Sequence, residues 1–252
     1  MPAESFRIVI PARHESSRLP GKVLLDINGK PMLQHVWERC TSSGAGEVLV
    51  ATDSQAVAES AAAFGAEVCM TSAMCASGTE RVAEVCAERG WEPRDIVVNV
   101  QGDAPLIPPG SINRVAHLLA TATDAAMSTL CTPLQSIEEY RDPNVVKVVF
   151  DREGRALYFS RAAVPAAGHG SEPPVALAHR HLGLYAYRVS ALHWLQGADR
   201  SPLETAERLE QLRALWHGLE IRIAVDPEAH GPDVDTAADL ARVAALLQAE
   251  SA

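Results

Sequence analysis

The chain has 252 residues, 47% of them hydrophobic, and its 22 Lys and Arg against 32 Asp and Glu give a formal net charge of −10. This length is enough for one large α/β domain with a sizeable buried core. The acidic balance argues against a nucleic-acid partner, for which a basic stripe or patch is expected. It also repels small anionic ligands at long range, so an anionic substrate would need local cations.

Leader, membrane and disulfide signals are all missing from the sequence. No uninterrupted apolar run reaches the ~20 residues needed to cross a bilayer, and the N-terminus lacks a basic region followed by a long apolar stretch. The five cysteines are odd in number, scattered and without a Cys-x-x-Cys pair, which disfavours a disulfide framework and a zinc site. We therefore expect a cytoplasmic protein with no membrane partner.

The first predicted elements are a buried strand and a basic loop. Residues 8–10 are apolar and β-branched and are followed by Pro11, which favours a central strand of a parallel sheet. The loop carries cations, hydroxyls and a glycine that can converge on phosphate oxygens, namely Arg13, Ser16, Ser17, Arg18, Gly21 and Lys22. Walker and dinucleotide-binding motifs are absent. Because open α/β sheets bind ligands at the carboxyl ends of their strands, we favour a triphosphate site over a plain solvated loop.

Strands and helices then alternate along the chain. Strands are predicted at 47–51, 67–70, 96–100 and 125–131, with helices between them, which indicates an α/β fold with a mainly parallel sheet. A hairpin pairs 144–150 with 155–159, and 165–178 are predicted to be an irregular surface loop. The remaining elements are a strand at 180–188, one helix over 201–217, a strand at 220–225 and a closing helix from Thr236 that covers the sheet.

Several polar residues stand at positions with both a structural and a functional interpretation. Asp103 directly follows the strand at 96–100, where it is either a turn residue beside Gly102 or a ligand of Mg²⁺, which prefers one or two carboxylates plus substrate oxygens. Ser77 and Glu80 fit a helix-capping box, while the Ser77-Gly78-Thr79 turn also allows close approach of a base or ribose. Asp235 lies just outside the cap of the last helix, free to face the crevice.

The strand at 180–188 alternates, so one side carries His181, Gly183, Tyr185 and Tyr187 and the other side is apolar. A lone strand histidine is more often structural than functional. In the helix at 201–217, composition alone makes Glu207, Glu210 and Gln211 solvated residues off the apolar stripe.

The sequence contains six motifs in chain order: I-P-A-R-x-x-S-x-R-L-P-G-K, I-N-G-K-P-M, S-G-T-E-R, Q-G-D-x-P-L, S-P-L-E-x-x-E-x-L-E-Q-L-R and V-D-T-x-x-D-L. They resemble the motifs of sugar nucleotidylyltransferases, in detail those of the CMP-KDO synthetase family (KDO is 3-deoxy-manno-octulosonate). The resemblance spans essentially the whole chain. It implies a single domain over 1–252 with a Rossmann-like three-layer nucleotide-diphospho-sugar transferase fold. It also implies a homodimer, with a dimerisation and sugar-binding subregion at about 133–200.

The activity implied by the resemblance is transfer of CMP from CTP to KDO, with release of pyrophosphate, for lipopolysaccharide biosynthesis. Lys22, Asp103 and Asp235 would be catalytic, and the two aspartates would hold Mg²⁺. CTP would contact Pro11, Ala12, Arg13, Arg18, Lys22, Ser77, Gly78, Thr79, Gln101 and Gly102. The sugar would contact Arg81, Gln101, Arg161, His181, Tyr185, Glu210 and Gln211.

Two positions depart from the family pattern: Cys75 replaces a usual histidine, and Ala104 replaces a usual glutamate. Both could alter the sugar accepted. The alternatives are activation of sialic acid or 8-amino-KDO by the same chemistry, or a nucleotide-sugar binding protein without catalysis.

Overall fold

The computed structural model describes residues 6–14, 19–169, 171–228 and 230–250. In chain order the strands are β1 Phe6–Pro11, β2 Asp26–Ile27, β3 Lys30–Pro31, β4 Glu47–Thr52, β5 Glu67–Met70, β6 Ile96–Asn99, β7 Met127–Pro133, β8 Lys147–Phe150, β9 Ala156–Ser160, β10 His179–Arg188 and β11 Ile221–Val225. The helices are α1 Met32–Thr41, α2 Gln55–Ala63, α3 Gly78–Glu88, α4 Pro109–Thr121, α5 Ile137–Arg141, α6 Val189–Gly197, α7 Pro202–Glu207, α8 Gln211–Trp216 and α9 Ala237–Glu250.

One nine-stranded sheet organises the structure, with the order β11-β7-β10-β6-β1-β4-β5 along its main row. The strands of this row are parallel except β10, which runs antiparallel to both of its neighbours, β6 and β7. The hairpin β8–β9 joins the sheet through the first residues of β10. The mainly parallel mixed sheet and the hairpin predicted from the sequence are therefore confirmed.

Helices cover both faces of the sheet and give the predicted three layers. Alternate residues of β1 point to opposite faces, so Ile8 and Ile10 belong to one buried cluster and Val9 to the other. The first cluster is completed by α1, α2 and α4, and the second by α3, α6 and the α7–α8 pair. The same alternation in β10 places Leu182, Leu184 and Ala186 on the first face and Tyr185 and Tyr187 on the second.

Two sequence predictions about the C-terminal helices are wrong. The single helix over 201–217 is divided into α7 and α8, because Arg208 between them has a left-handed backbone with φ of 53°. The closing helix α9 does not cover the sheet. Val243 and Leu247 pack instead against Ile27, Met32 and Leu106, a separate small cluster beside the ribbon formed by β2 and β3.

Other predicted elements are close to their observed bounds. The loop over 165–178 is irregular in its described part except for a short 3₁₀ turn at Val175–Leu177. No helix within the described residues is both long and apolar enough to cross a bilayer. The fold thus leaves the carboxyl ends of β1 and β6 side by side, which is where the polar residues gather.

Candidate active site

The crevice begins where two adjacent parallel strands end. The backbone N–H of Val100 donates to the carbonyl of Val9 at 3.2 Å, so the loops that follow β1 and β6 leave the sheet together. A Cβ atom at Gly102 would lie 3.2 Å from the carbonyl oxygen of Pro11. Glycine there lets the two loops run in contact, as expected for a ligand site at the carboxyl ends of parallel strands.

Lys22 joins the two aspartates predicted to be metal ligands. Its ammonium donates to the Asp103 carboxylate, to Oδ1 of Asp235 at 3.2 Å and to the carbonyl of Val234 at 3.2 Å. The backbone supports this arrangement, because the N–H of Val234 donates to the carbonyl of Asp103 at 2.9 Å. The structure therefore brings together three residues that are 81 and 213 positions apart in the chain.

The charge balance at this point is negative. Burial alone would lower the pKa of Lys22, but Asp103 and Asp235 outweigh it and hold that pKa above its ordinary value. Crowding by surrounding protein and the charges of Asp103 and Asp235 raise the pKa of the nearby Asp233 to about 7. More than a third of Asp233 remains exposed, so water also reaches this carboxyl.

The donor set fits a divalent cation. Asp103 and Asp235 both direct oxygens at one cation, the Lys22 ammonium, so the backbone already brings two carboxylates to a common point. Within the described ranges no group of three or more His, Cys, Asp or Glu side chains forms a metal cluster. Two carboxylates with substrate oxygens are nonetheless the usual protein environment of Mg²⁺.

The Ser77-Gly78-Thr79 turn faces the ends of β1 and β6. Ser77 caps α3 by accepting from the N–H of Glu80 at 3.2 Å, so the capping interpretation holds. A Cβ atom at Gly78 would lie 3.2 Å from the Pro11 ring and 3.3 Å from the Gln101 amide, hence the predicted CTP residues of three loops lie in contact. Thr79 lies close enough to Tyr187 and Glu210 to act on both, and it partly offsets the rise in the pKa of each side chain.

A cavity of about 220 Å³ lies between this turn, β10 and α8. It brings together several predicted residues with others that the sequence did not single out, and its lining includes Thr79, Asn99, Gln101, Gly183, Tyr185, Tyr187, Glu210 and Gln211. Burial raises the pKa of the Glu210 carboxyl, an effect that Arg213 and Thr79 partly offset. Asn99 accepts from the Gln101 amide at 3.0 Å and so orients it, although nothing in the local pattern of β6 distinguished Asn99 from a core position.

Tyr185 is the least satisfied polar group of this cavity. Its phenolic oxygen is buried and has no hydrogen-bond partner in the part of the chain that the structure describes. Thr129 approaches it, but the Thr129 hydroxyl is already bonded to His181 Nε2 at 3.0 Å and to the carbonyls of Leu182 and Leu184. A buried hydroxyl without a partner costs free energy, which a ligand hydroxyl would recover.

A second cavity, of about 240 Å³, lies next to the first and shares Gln101 and Gly183 with it. His181 lines it, packed edge-on against Phe159 with ring centroids 5.0 Å apart. Burial lowers the pKa of His181 to about 3, and the charge of Arg180 adds to this shift. The imidazole is therefore neutral at physiological pH, which suits hydrogen bonding rather than proton transfer.

The two arginines predicted to contact the sugar lie elsewhere. Arg81 is buried and donates to Thr71 and, at 3.0 Å, to Asp53. Arg161 donates to the carbonyls of Glu207 and Pro143 at 2.7 and 3.0 Å. Neither lines either cavity in this structure. Glu207 is also not the solvated residue that composition suggested, because it accepts from the Ser160 hydroxyl at 2.8 Å.

The remaining predicted positions are reported briefly. Ala12 is buried and Arg13 is exposed at the end of β1, whereas Ser16, Ser17 and Arg18 lie outside the described residues. Cys75 donates to the Glu84 carboxylate at 2.9 Å, and burial raises the pKa of its thiol to about 12, so it is unreactive.

Fold and crevice together define the class of the protein as a nucleotidyltransferase with a three-layer α/β architecture. Residues 7–221 match the family model described as cytidylyltransferase, and the chain belongs to this cytidylyltransferase family.

Curated relatives carry a more specific name. The chain is 49% identical over 249 residues to the 3-deoxy-manno-octulosonate cytidylyltransferase of Thioalkalivibrio sulfidiphilus, a match that covers 97% of this chain and 100% of the relative. It is 53% identical over 251 residues to the protein of that name from Aeromonas hydrophila, with 96% and 99% coverage.

Solved structures agree with these relatives. CMP:2-keto-3-deoxy-manno-octonic acid synthetase complexed with CTP is 42% identical and superposes with a TM-score of 0.90 over 98% of this chain and 100% of that chain. A cytidylyltransferase from Leptospira borgpetersenii has a TM-score of 0.63 at 17% identity, over 98% of this chain and 87% of that chain, and supports the fold alone.

Proposed function

We propose that the protein activates 3-deoxy-manno-octulosonate with CTP, giving CMP-KDO and pyrophosphate for lipopolysaccharide biosynthesis. The observation that carries the proposal is that Asp103 and Asp235 both contact the Lys22 ammonium at the carboxyl ends of the parallel strands. The cavities beside this point are lined by hydroxyl, amide and carboxylate groups. The names of the curated relatives support the choice of sugar.

The reaction forms one P–O bond and breaks another. The anomeric hydroxyl oxygen of the sugar acid attacks the α-phosphorus of CTP, the bond to the bridging oxygen of the β-phosphate breaks, and pyrophosphate leaves with the electron pair. The hydroxyl proton passes to solvent. No covalent enzyme intermediate is needed, so the protein acts chiefly by holding the two substrates in line and by stabilising charge.

We assign these tasks to residues already described. Lys22 and the exposed Arg13 stabilise the negative charge that grows on the departing phosphates. Backbone groups of the Ser77-Gly78-Thr79 turn hold the nucleotide, and Tyr185, His181 and Gln101 hold the sugar through hydrogen bonds. His181 serves as a hydrogen-bonding group rather than a base, because its pKa is lowered to about 3.

Asp103 and Asp235 would hold Mg²⁺. When bound, the ion supplies Lewis-acid stabilisation of charge on the phosphate oxygens and makes a bound hydroxyl more acidic. The role of the protein is to keep the two carboxylates close to each other. The hydrogen bond from the backbone N–H of Val234 to the carbonyl of Asp103 supports this role.

The test is pyrophosphate release from CTP with Mg²⁺ and a panel of 2-keto sugar acids: KDO, 8-amino-KDO and sialic acid. We expect release with KDO at the highest kcat/KM. Preference for 8-amino-KDO or sialic acid would change the sugar assignment, whereas release with no acid, together with tight CTP binding, would favour a binding protein without catalysis.

We also propose a homodimer formed through the subregion at 133–200. Leu157 and Leu177 in this subregion are 61% and 68% exposed, and apolar side chains of this size favour a covered surface. Light scattering on the protein as it elutes from a size-exclusion column measures the mass of the particle in solution, which distinguishes a dimer from a monomer. A cytoplasmic location is proposed as well, on the ground that all five cysteines are free thiols and four of them are buried.

A further inference from the structure

The sugar acid poses an electrostatic problem that the crevice must solve. In a 2-keto sugar acid the carboxylate is attached to the carbon that bears the attacking hydroxyl. It must therefore lie within a few ångströms of the reacting phosphorus, close to the carboxylates of Asp103 and Asp235. Asp233 adds a third acidic group there. Repulsion between like charges at this distance is strong in a partly desolvated cleft. Mg²⁺ held by the two aspartates would offset part of this repulsion, and a cationic side chain beside the sugar carboxylate would offset the rest.

The arginines expected to supply this charge are not available. Arg81 is 3% exposed and forms an ion pair with Asp53 at 3.0 Å, and Arg161 is bound to two backbone carbonyls. Lys22 has three N–H donors and three acceptors, of which two are the aspartates themselves. Arg81, Arg161 and Lys22 are therefore all engaged by other groups, and none of them lines the second cavity.

Arg180 has the required position and freedom. It lies near the start of β10 and lines the second cavity together with Gln101, His181 and Asp233. Its side chain makes no hydrogen bond or ion pair with any residue described by the structure, and the residue is more than a third exposed. Its charge nevertheless reaches this site, because it contributes to the fall in the pKa of the neighbouring His181.

The two cavities adjoin, so a single ligand could extend from one into the other. They share Gln101 and Gly183, and a Cβ atom at Gly183 would meet nothing within 4 Å, so the space above β10 is open at the point where they adjoin. The carboxylate end of the acid can occupy the cavity of Arg180 while the hydroxylated chain reaches Tyr185 and Glu210 in the other.

We propose that Arg180 binds the carboxylate of the sugar acid and so determines the requirement for an acid rather than a neutral sugar. The guanidinium presents parallel N–H donors that match a carboxylate, and it stays charged at all physiological pH values. The inference rests on the proposed function and extends it, because it names the cation that makes an acidic crevice accept an anionic sugar.

The test compares wild type, Arg180→Gln and Arg180→Lys in the pyrophosphate-release assay, with the KDO carboxylate and its neutral carboxamide as substrates. We expect Arg180→Gln to raise KM for the acid roughly 10- to 100-fold, the range of a hydrogen bond to a charged group, with KM for CTP changed less than about twofold. Arg180→Lys should recover part of the loss. The preference of wild type for acid over amide should fall in Arg180→Gln by the same factor as KM rises.

Arg152→Gln is the matched control, because it removes the same charge from a side chain that is 92% exposed in the β8–β9 turn. An unchanged acid-to-amide preference in Arg180→Gln would overturn the proposal, and a rise in KM for CTP alone would assign Arg180 to the nucleotide. If wild type releases no pyrophosphate with any acid, the proposed function fails first, which keeps the two failures distinct.

Discussion

Two ends of the crevice treat polar groups differently. At the ionic end, formed by Lys22, Asp103 and Asp235, full charges lie against each other with 15%, 23% and 38% of their side-chain surface exposed. The desolvated wall is formed by His181, Tyr185 and Glu210. Burial is the largest cause of the pKa shift of each of these side chains, and in each it favours the neutral form. The ionic end is suited to moving charge on phosphates, and the wall is suited to recognising hydroxyl groups.

The difference follows from the sheet. The ionic end lies where parallel strands stop and loops separate, so water reaches it and opposite charges must compensate each other. Two wall residues, His181 and Tyr185, lie on the antiparallel strand β10, and Glu210 lies at the start of α8. Tyr185 belongs to the face of the sheet that α6 to α8 cover. Substitutions at the ionic end should therefore act on turnover, whereas those at the wall should act on stability and on sugar affinity.

The largest effect is expected from Asp103→Asn. It keeps the shape of the side chain but removes one of two carboxylates that hold the cation, and loss of several kcal/mol of charge stabilisation corresponds to a fall in kcat of at least about a hundredfold. Pyrophosphate release measures it, and an unchanged thermal unfolding midpoint shows that the fold is intact. Near-normal turnover would remove Asp103 from the mechanism.

Lys22→Met tests the ionic end from the other side. Removing the ammonium frees the two carboxylates from a competing cation, so binding of Mn²⁺ without nucleotide should tighten roughly tenfold, as titrated by its paramagnetic resonance signal. At the same time kcat/KM for CTP should fall. Lys30→Met is the control, since Lys30 pairs with Glu38 on α1. Weaker Mn²⁺ binding in Lys22→Met would show that Lys22 supports the cation site.

These two residues also mark what the sequence could reveal. Asp103 was found because a carboxylate after a buried strand has a predictable place in a parallel sheet, and Lys22 because a basic loop follows the neighbouring strand. Asp235 needed the family motif, since nothing in the 234–239 segment alone shows that it folds back onto the loop after β6. The alternation of strands and helices predicted the layers for the same reason, because periodicity of side chains decides which face is buried.

The parts that could not be predicted depend on contacts between distant segments. The break between α7 and α8 is a single left-handed residue, Arg208, within a sequence that reads as one helix. Arg81 follows a helix cap that faces the crevice, yet its guanidinium turns back to Asp53. Arg180 looks like any exposed strand residue until β10 is placed beside β6.

His181 should affect the pH dependence of stability. Its pKa is lowered to about 3 in the folded chain, so between about pH 6.5 and pH 3 the unfolded chain binds a proton that the folded chain does not. Stability therefore falls as pH is lowered through this window, by up to about 1.4 kcal/mol per pH unit. In His181→Asn the free energy of unfolding, measured in urea, should fall less steeply with acid.

The exposed His193, changed to Asn in the same way, controls for removing a histidine as such. The pH–rate profile supplies a second readout, because a neutral His181 adds no limb between pH 5 and 8. A slope of stability against pH that is the same in wild type and His181→Asn would show that water reaches the imidazole and that this end of the wall is not desolvated.

The smallest expected effect distinguishes stability from binding at a single hydroxyl. Tyr185→Phe removes a buried oxygen that has no partner among the described residues, so the free energy of unfolding should stay the same or rise by up to about 1 kcal/mol, while KM for the sugar acid rises about 3- to 10-fold. Tyr187→Phe is the counterpart on the same face. Its hydroxyl lies close enough to Thr79 for that side chain to lower its pKa, and unlike the Tyr185 hydroxyl it is not a buried oxygen without a partner among the described residues. Its removal should therefore lower the free energy of unfolding by about 1 kcal/mol. If both variants lose stability equally, the Tyr185 hydroxyl is already satisfied within the protein, and the wall does not reserve a hydrogen bond for the sugar.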